Sequence, residues 1–132
     1  NNALLAGYVA VGDNAFISGG VVIHQFVTVG RLAMLSGNGR FSTDIPPFLI
    51  ALERNAVEGV NLVGLRRAGL SADTIREIKN AYKILYLSGL RKHEAIARLE
   101  AANFASPEAR EFIAFVTTAK RPLAVHISRA KG

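Results

Sequence analysis

A branched aliphatic residue recurs at every sixth position from Leu5 through Val11, Ile17, Ile23 and Val29 to Leu35. That period is neither the 3.6 of a helix nor the plain alternation of a hairpin sheet. It marks a repeat in which each hexad forms one face of a solenoid. The next residue is small at Ala6, Gly12, Ser18, Gly30 and Ser36, and His24 breaks the column. The fourth residue after each aliphatic is Val9, Ala15, Val21, Val27, Ala33 or Gly39. The pattern predicts a parallel β-helix in which each aliphatic stacks on its equivalent one coil away and the small residue permits a tight corner. If three faces close a coil, six hexads make two coils, fewer than the roughly three that repeat folds need. The expectation is a C-terminal piece of a longer solenoid, its open end covered by further coils or by another chain.

The hexads stop near Gly39, and Asp44-Ile45-Pro46-Pro47 follows. Two prolines remove two amide donors and bias Ile45 away from the helical region, so the ladder is expected to end or turn there. Residues 46–70 then read as a connector, with a short helix from Asn61 to Arg67. Beyond it the period becomes helical. Ser71 is an N-cap, and Ile75, Ile78, Tyr82 and Leu85 recur at spacings of three and four up to Ser88-Gly89. A second helix spans about Lys92 to Ala102, with Ile96 and Leu99 inward. A third starts at Ser106-Pro107 and carries Phe112, Phe115 and Val116 on one side, aromatics that read as core. The tail from Ala124 to Gly132 is expected to fray. The fold class is mixed β and α: solenoid coils over 1–45, connector over 46–70, and an α-helical C-terminal domain over 71–132.

At 132 residues and 50% hydrophobic content the chain can build a packed core. No run approaches the roughly 18 apolar residues of a membrane span, and the first residues are not a basic-then-apolar signal, so a cytoplasmic location is expected. With no cysteine in the sequence, disulfides and thiolate metal sites are excluded. Charge is uneven. Residues 1–65 carry three basic residues against four acids, net −1, and residues 66–132 carry thirteen against six, net +7. The basic half suits an acidic partner or a phosphorylated ligand as well as a solvated helical face. Its basic residues are not interleaved with exposed aromatics, which argues against a single-strand nucleic-acid platform.

Asn1-Asn2-Ala3, Ala6-Gly7, Val22-Ile23-His24-Gln25-Phe26, Asp44-Ile45-Pro46-Pro47, Gly59-Val60-Asn61, Gly64-Leu65-Arg66-Arg67 and Asn80-Ala81-Tyr82-Lys83 occur in this order. Together they resemble the acyl-ACP:UDP-N-acetylglucosamine O-acyltransferases of lipid A biosynthesis, over nearly the whole chain. The resemblance implies a left-handed β-helix, an exception to the usual right-handed crossover. It also implies a homotrimer with active sites between subunits, acyl carrier protein and UDP-N-acetylglucosamine as partners, and no cofactor or metal.

By that resemblance a histidine base on the coil preceding Asn1 deprotonates the sugar 3-hydroxyl, which attacks the carrier thioester. Gly7 would supply a backbone amide to the oxyanion; as a bare residue it is a corner glycine. His24 and Gln25 would lie in the cleft near the nucleotide sugar, where a lone corner histidine bonded to a carbonyl is the alternative. Tyr8 stands where the family commonly has histidine, and Val63 where relatives often have glutamate; tyrosine there can donate a hydrogen bond but cannot carry a positive charge as histidine can. Asn61 and Arg67 match nucleotide-contacting positions, a guanidinium being able to grip phosphate through two bonds. Otherwise Arg66 and Arg67 are basic residues at a helix end. Gly37 matches the position that limits acyl length, or is a turn glycine. Metal binding is not expected, since His93 and His126 lie in the helical half, away from His24. Two other readings are another sugar acyltransferase, such as an N-acylating one, and a non-catalytic trimerisation module.

Overall fold

A computed structural model describes residues 3–127. The hexads form six two-residue strands: β1 (Leu4–Leu5), β2 (Ala10–Val11), β3 (Phe16–Ile17), β4 (Val22–Ile23), β5 (Thr28–Val29) and β6 (Met34–Leu35). They pair in parallel at a separation of three strands, with Leu5 opposite Ile23, Val11 opposite Val29 and Ile17 opposite Leu35. The offset is 18 residues, so three hexads do close one coil. Each aliphatic therefore stacks on an aliphatic, and burial rises up the stack from an exposed Leu5 to a buried Ile23 and Phe41.

Corners follow the same beat. Tyr8, Asn14, Gly20, Phe26, Leu32 and Asn38, six residues apart, all have φ between 57° and 76°. Asparagine and glycine tolerate this left-handed conformation, whereas Tyr8, Phe26 and Leu32 hold it at a cost of order 1 kcal/mol or more. Close packing explains the small column. A Cβ on Gly12 would stand 2.5 Å from the Arg31 nitrogen, and one on Gly30 would stand 2.5 Å from Pro47 Cα. Gly12, Gly30 and Pro47 thus stack with no space between them.

The ladder does not end at the prolines. β7 (Arg40–Phe41) pairs with β4, Ile45 pairs with Val29, and β8 (Leu49–Leu52) pairs in parallel with β6. Pro46 and Pro47 are tolerated because they occupy a corner; the ladder bonds run through Ile45, whose amide donates to Thr28 and whose carbonyl accepts from Gly30. Residues 46–70, expected to be a connector, therefore hold β8 and its antiparallel partner β9 (Ala56–Val60) as well as the short helix α1 (Leu62–Arg67). The third coil is also shorter. Ile23 to Phe41 is 18 residues, but Val29 to Ile45 and Leu35 to Ala51 are each 16, so two residues are missing between Phe41 and Ile45.

Helix α2 (Ala72–Tyr82) is capped by Ser71, whose hydroxyl accepts from the Thr74 amide, and runs into a π-helical turn at Lys83–Leu87. Helices α3 (Lys92–Ala101) and α4 (Pro107–Thr118) follow, the latter capped by Ser106 with proline in its first turn. Glu77 of α2 accepts from the Ala105 and Ser106 amides and ties the start of α4 to α2. Arg31 forms a two-oxygen ion pair with Glu111 at 2.9–3.2 Å while lying over the Phe48 ring, which fastens α4 to a solenoid corner. Buried residues of coils and helices, such as Leu35, Phe41, Leu65, Ile78 and Phe112, form one apolar cluster. Phe112 and Val116 are core as expected, with Phe115 half-buried beside them.

The tail departs from expectation over Ala124–Ile127. Strand β10 (Val125–His126) pairs with β9, and the Tyr82 hydroxyl and His126 Nδ1 share a hydrogen bond of 2.6 Å. Burial, with the charge of Glu58 adding to it, pushes the Tyr82 phenol up to about 12. The remainder of the expected fray, residues 128–132, lies outside the described residues, as do Asn1 and Asn2. No helix among the described residues is long and apolar enough to cross a membrane.

Candidate active site

The 18-residue register brings four of the seven candidate residues to one corner. Gly7 and Tyr8 turn the chain from β1 to β2, and His24 and Gln25 turn it from β4 to β5 one coil above. All four are exposed, Tyr8 the most at 83%. The Tyr8 ring stacks on Phe26, with centroids 5.9 Å apart and planes 16° from parallel, and its carbonyl accepts from the Phe26 amide at 3.0 Å. Two aromatic residues hold left-handed conformations at equivalent positions of adjacent coils here, as Leu32 and Phe48 do at the next corner.

His24 donates its backbone amide to Phe41, but its imidazole makes no hydrogen bond among the described residues. The carbonyl-bonded corner histidine is therefore not what forms. With Gln25 it lines a cavity of ≈ 450 Å³ floored by Leu4, Ala6 and Val22. Gly7 has no positive φ, and nothing stands within 4 Å of where its Cβ would project, so the contacts described here do not require glycine.

Asn61 and Arg67 lie elsewhere. Together they line a cavity of ≈ 570 Å³ between α1 and the β3–β6 face, with Phe16, Met34 and Val63. Asn61 is buried and its amide is occupied: Oδ1 accepts from the Gly64 nitrogen at 3.1 Å, capping α1, while Nδ2 donates to the Leu32 carbonyl at 3.0 Å. Its direct role is to fix α1 to the solenoid. That placement aims Arg67, which is exposed in the last turn, at the cavity. A Cβ on Gly64 would collide with the Asn61 side chain, so the Gly64-Leu65-Arg66-Arg67 segment needs its glycine for packing.

Gly37 sits at a third corner, between β6 and β7, exposed and with no positive φ. A Cβ there would meet the Gly19 carbonyl at 3.4 Å and Ser18 Cβ at 3.9 Å, ordinary contacts. The turn-glycine reading loses its basis, since neither backbone nor neighbours demand glycine. One chain thus presents Gly7, Tyr8, His24 and Gln25 on one edge, Asn61 and Arg67 over a face, and Gly37 on another edge.

Sequence reasoning passed over two features. Phe26, the second of the three non-glycine, non-asparagine members of the left-handed column, lies one 18-residue coil above Tyr8. Asp44 and Arg121, which line a further cavity beside Phe26, carried no signal, because their approach depends on the shortened third coil.

The family described as UDP N-acetylglucosamine O-acyltransferase, domain 2, matches residues 44–124. An acyl-[acyl-carrier-protein]–UDP-N-acetylglucosamine O-acyltransferase of Burkholderia orbicola is 46% identical over 100 residues, 75% of this chain and 38% of its own length. One of the same description from Anaeromyxobacter is 39% identical over 122 residues, 92% of this chain and 48% of its own. The chain thus spans less than half the length of these relatives. Among solved structures, the UDP-N-acetylglucosamine acyltransferase of Francisella novicida superposes with a TM-score of 0.89 at 30% identity, covering 98% of this chain and 48% of that one. The Bacteroides fragilis enzyme does so at 0.82 and 39%, covering 92% and 53%. A coiled parallel β-helix, the helices packed on it and a family match across the segment joining them agree: the chain belongs to the UDP N-acetylglucosamine O-acyltransferase family.

Proposed function

We propose that this chain is the C-terminal part of a cytoplasmic, homotrimeric acyltransferase that moves a 3-hydroxyacyl chain from acyl carrier protein to the 3-hydroxyl of UDP-N-acetylglucosamine, the first step of lipid A biosynthesis. In this reading the β-helix is left-handed, the coils of residues 1–45 carry the reacting groups, and residues 71–132 form a basic helical domain that attracts the acidic carrier. The observation that carries it is the separation of the candidate residues. Gly7, Tyr8, His24 and Gln25 lie on one corner and Arg67 over a different face, an arrangement that makes one site only when the corner of one subunit meets the face of another.

The chemistry is acyl transfer. A base outside this chain takes the 3-hydroxyl proton, the alkoxide attacks the thioester carbonyl, and the tetrahedral oxyanion is held by the Gly7 amide. Collapse expels the pantetheine thiolate, which takes up a proton. No metal or cofactor enters these steps. His24, Gln25 and Tyr8 orient the sugar, Tyr8 as a neutral donor, and Arg67 grips a phosphate oxygen of the nucleotide.

Arg67→Ala is expected to weaken UDP-N-acetylglucosamine binding by about 1.5 to 3 kcal/mol, the range for a hydrogen bond to a charged group. Calorimetric titration measures this, and sedimentation should show three chains before and after the change, because an exposed arginine does not anchor the core. Unchanged affinity would return Arg67 to a solvated helix end.

A further inference from the structure

The cavity of ≈ 570 Å³ between α1 and the β3–β6 face presents three polar side chains, Asn14, Asn61 and Arg67. Asn61 is spent, since one end of its amide is bonded to Leu32 and the other to Gly64. Asn14 is not. It is exposed at the corner between β2 and β3, and its side-chain amide has no partner among the described residues. Its φ of 58° belongs to the left-handed column that Leu32 continues one coil above. The other walls are apolar, with Phe16 and Met34 in register on adjacent coils and Val63 on α1. No acidic side chain lines the cavity among the described residues.

We propose that Asn14 reads the base of the nucleotide: its Oδ1 accepts from uracil N3–H and its Nδ2 donates to the adjacent O4 carbonyl, while the ring lies against Phe16, Met34 and Val63. The inference rests on the reading of the chain as part of a UDP-N-acetylglucosamine acyltransferase and adds to it the residue that selects the base. A primary amide carries a donor and an acceptor side by side, the complement of a ring N–H beside a carbonyl. Phe16 is 60% exposed, and a free aromatic ring is a surface on which a base stacks. A sugar ring in the same place would lose water from its hydroxyls against apolar walls that offer them nothing. A phosphate alone would satisfy Arg67 and leave those walls uncovered. With no carboxylate in the cavity to grip the ribose hydroxyls, selection among nucleosides falls on the Asn14 amide.

Position agrees with chemistry. Val63 and Arg67, four residues apart, share a face of α1, so a phosphate held by Arg67 leaves the rest of the nucleotide beside Val63. Leu32 stands one coil, roughly 5 Å, from Asn14, and its carbonyl holds Asn61 at the start of α1. Arg67 lies six residues beyond Asn61, roughly 9 Å along the helix. Asn14 and Arg67 thus reach the cavity from the solenoid and from the helix. A nucleotide matches them, with a base edge at one end and a phosphate at the other.

The test titrates the acyltransferase that contains this chain with UDP-N-acetylglucosamine and with its N3-methyluracil analogue, which cannot donate from the ring. The unmodified nucleotide is expected to bind about tenfold more tightly. Asn14→Gly removes the amide and keeps the left-handed corner. It should weaken the unmodified ligand about tenfold and leave the analogue within about threefold of its former affinity. Arg67→Ala should weaken both ligands and preserve their ratio, because its contact is to phosphate. Equal affinities in the unaltered protein would overturn the assignment and leave the transferase reading standing. So would a preference that survives Asn14→Gly, or one lost only because the analogue gains affinity, the mark of a steric contact without a hydrogen bond. Failure of the unaltered protein to bind UDP-N-acetylglucosamine would remove that reading, and the base contact with it.

Discussion

Gly37→Met is expected to shorten the acyl chain that is transferred, without loss of fold. The backbone there needs no glycine, since φ is not positive and the nearest atoms to an added Cβ, the Gly19 carbonyl and Ser18 Cβ, stand at ordinary contact distances. A side chain would therefore project from an exposed corner between β6 and β7 rather than into the stack. If that corner closes the end of the hydrocarbon groove, methionine removes room for several methylenes, each worth about 0.8 kcal/mol when buried. A donor four carbons too long would lose about 3 kcal/mol, a swing of roughly a hundredfold in relative kcat/KM. Competition between two carrier-bound chains, assayed in the acyltransferase that contains this chain, reads the ratio directly. An unchanged chain-length profile in a folded protein would make Gly37 an ordinary surface residue.

The same change in kind at Gly30 should have the opposite character. Gly30→Ala puts its methyl 2.5 Å from Pro47 Cα and 2.7 Å from Pro47 Cδ, and Pro47 is itself buried beneath the rest of the third coil. Neither partner can turn aside, because one is backbone and the other a closed ring. Overpacking of this sort costs typically 1 to 3 kcal/mol and sometimes more, and here about 3 is expected. For a chain of this size that lowers Tm by roughly 10 °C. Gly37→Ala, measured beside it by thermal unfolding, should stay within about 0.5 kcal/mol. Equal midpoints for the two variants would mean that the Gly12–Gly30–Pro47 stack opens without cost.

Gly30 lies in the small column directly after Val29 and Gly37 one place beyond that column, but the period does not say which of the two must be glycine. What the sequence made legible was whatever depends on period alone: the stacked aliphatics, the small corner column, and the three helices, two of them with caps, Ser71 and Ser106, just ahead of apolar runs. The resemblance supplied the family, which the match over residues 44–124 bears out. Hidden was whatever depends on register between distant segments. Pro46 and Pro47 read as a ladder's end because proline cannot donate, yet they fall at a corner where no donor is called for. β8, β9 and β10 carry no hexad, so their pairing could not be read from period. Asn61 shows the same limit at the candidate site: its residue type suits nucleotide contact, but the folded chain has already used both ends of its amide on Leu32 and Gly64.

The shortened third coil sets a rule for how this solenoid can change length. Successive side chains of a strand point to opposite faces, so a shift by one residue reverses every aliphatic that follows, whereas a shift by two reverses none. Coils of 18 and 16 residues share parity, and Ile45 and Ala51 accordingly remain as deeply buried as Val29 and Leu35 below them. Residues can be gained or lost at a corner in pairs, widening or emptying the space outside the stack, while the axial column of aliphatics keeps its alignment. A corner of this fold is thus an adjustable margin around an invariant core, open to reshaping in even steps and closed to odd ones.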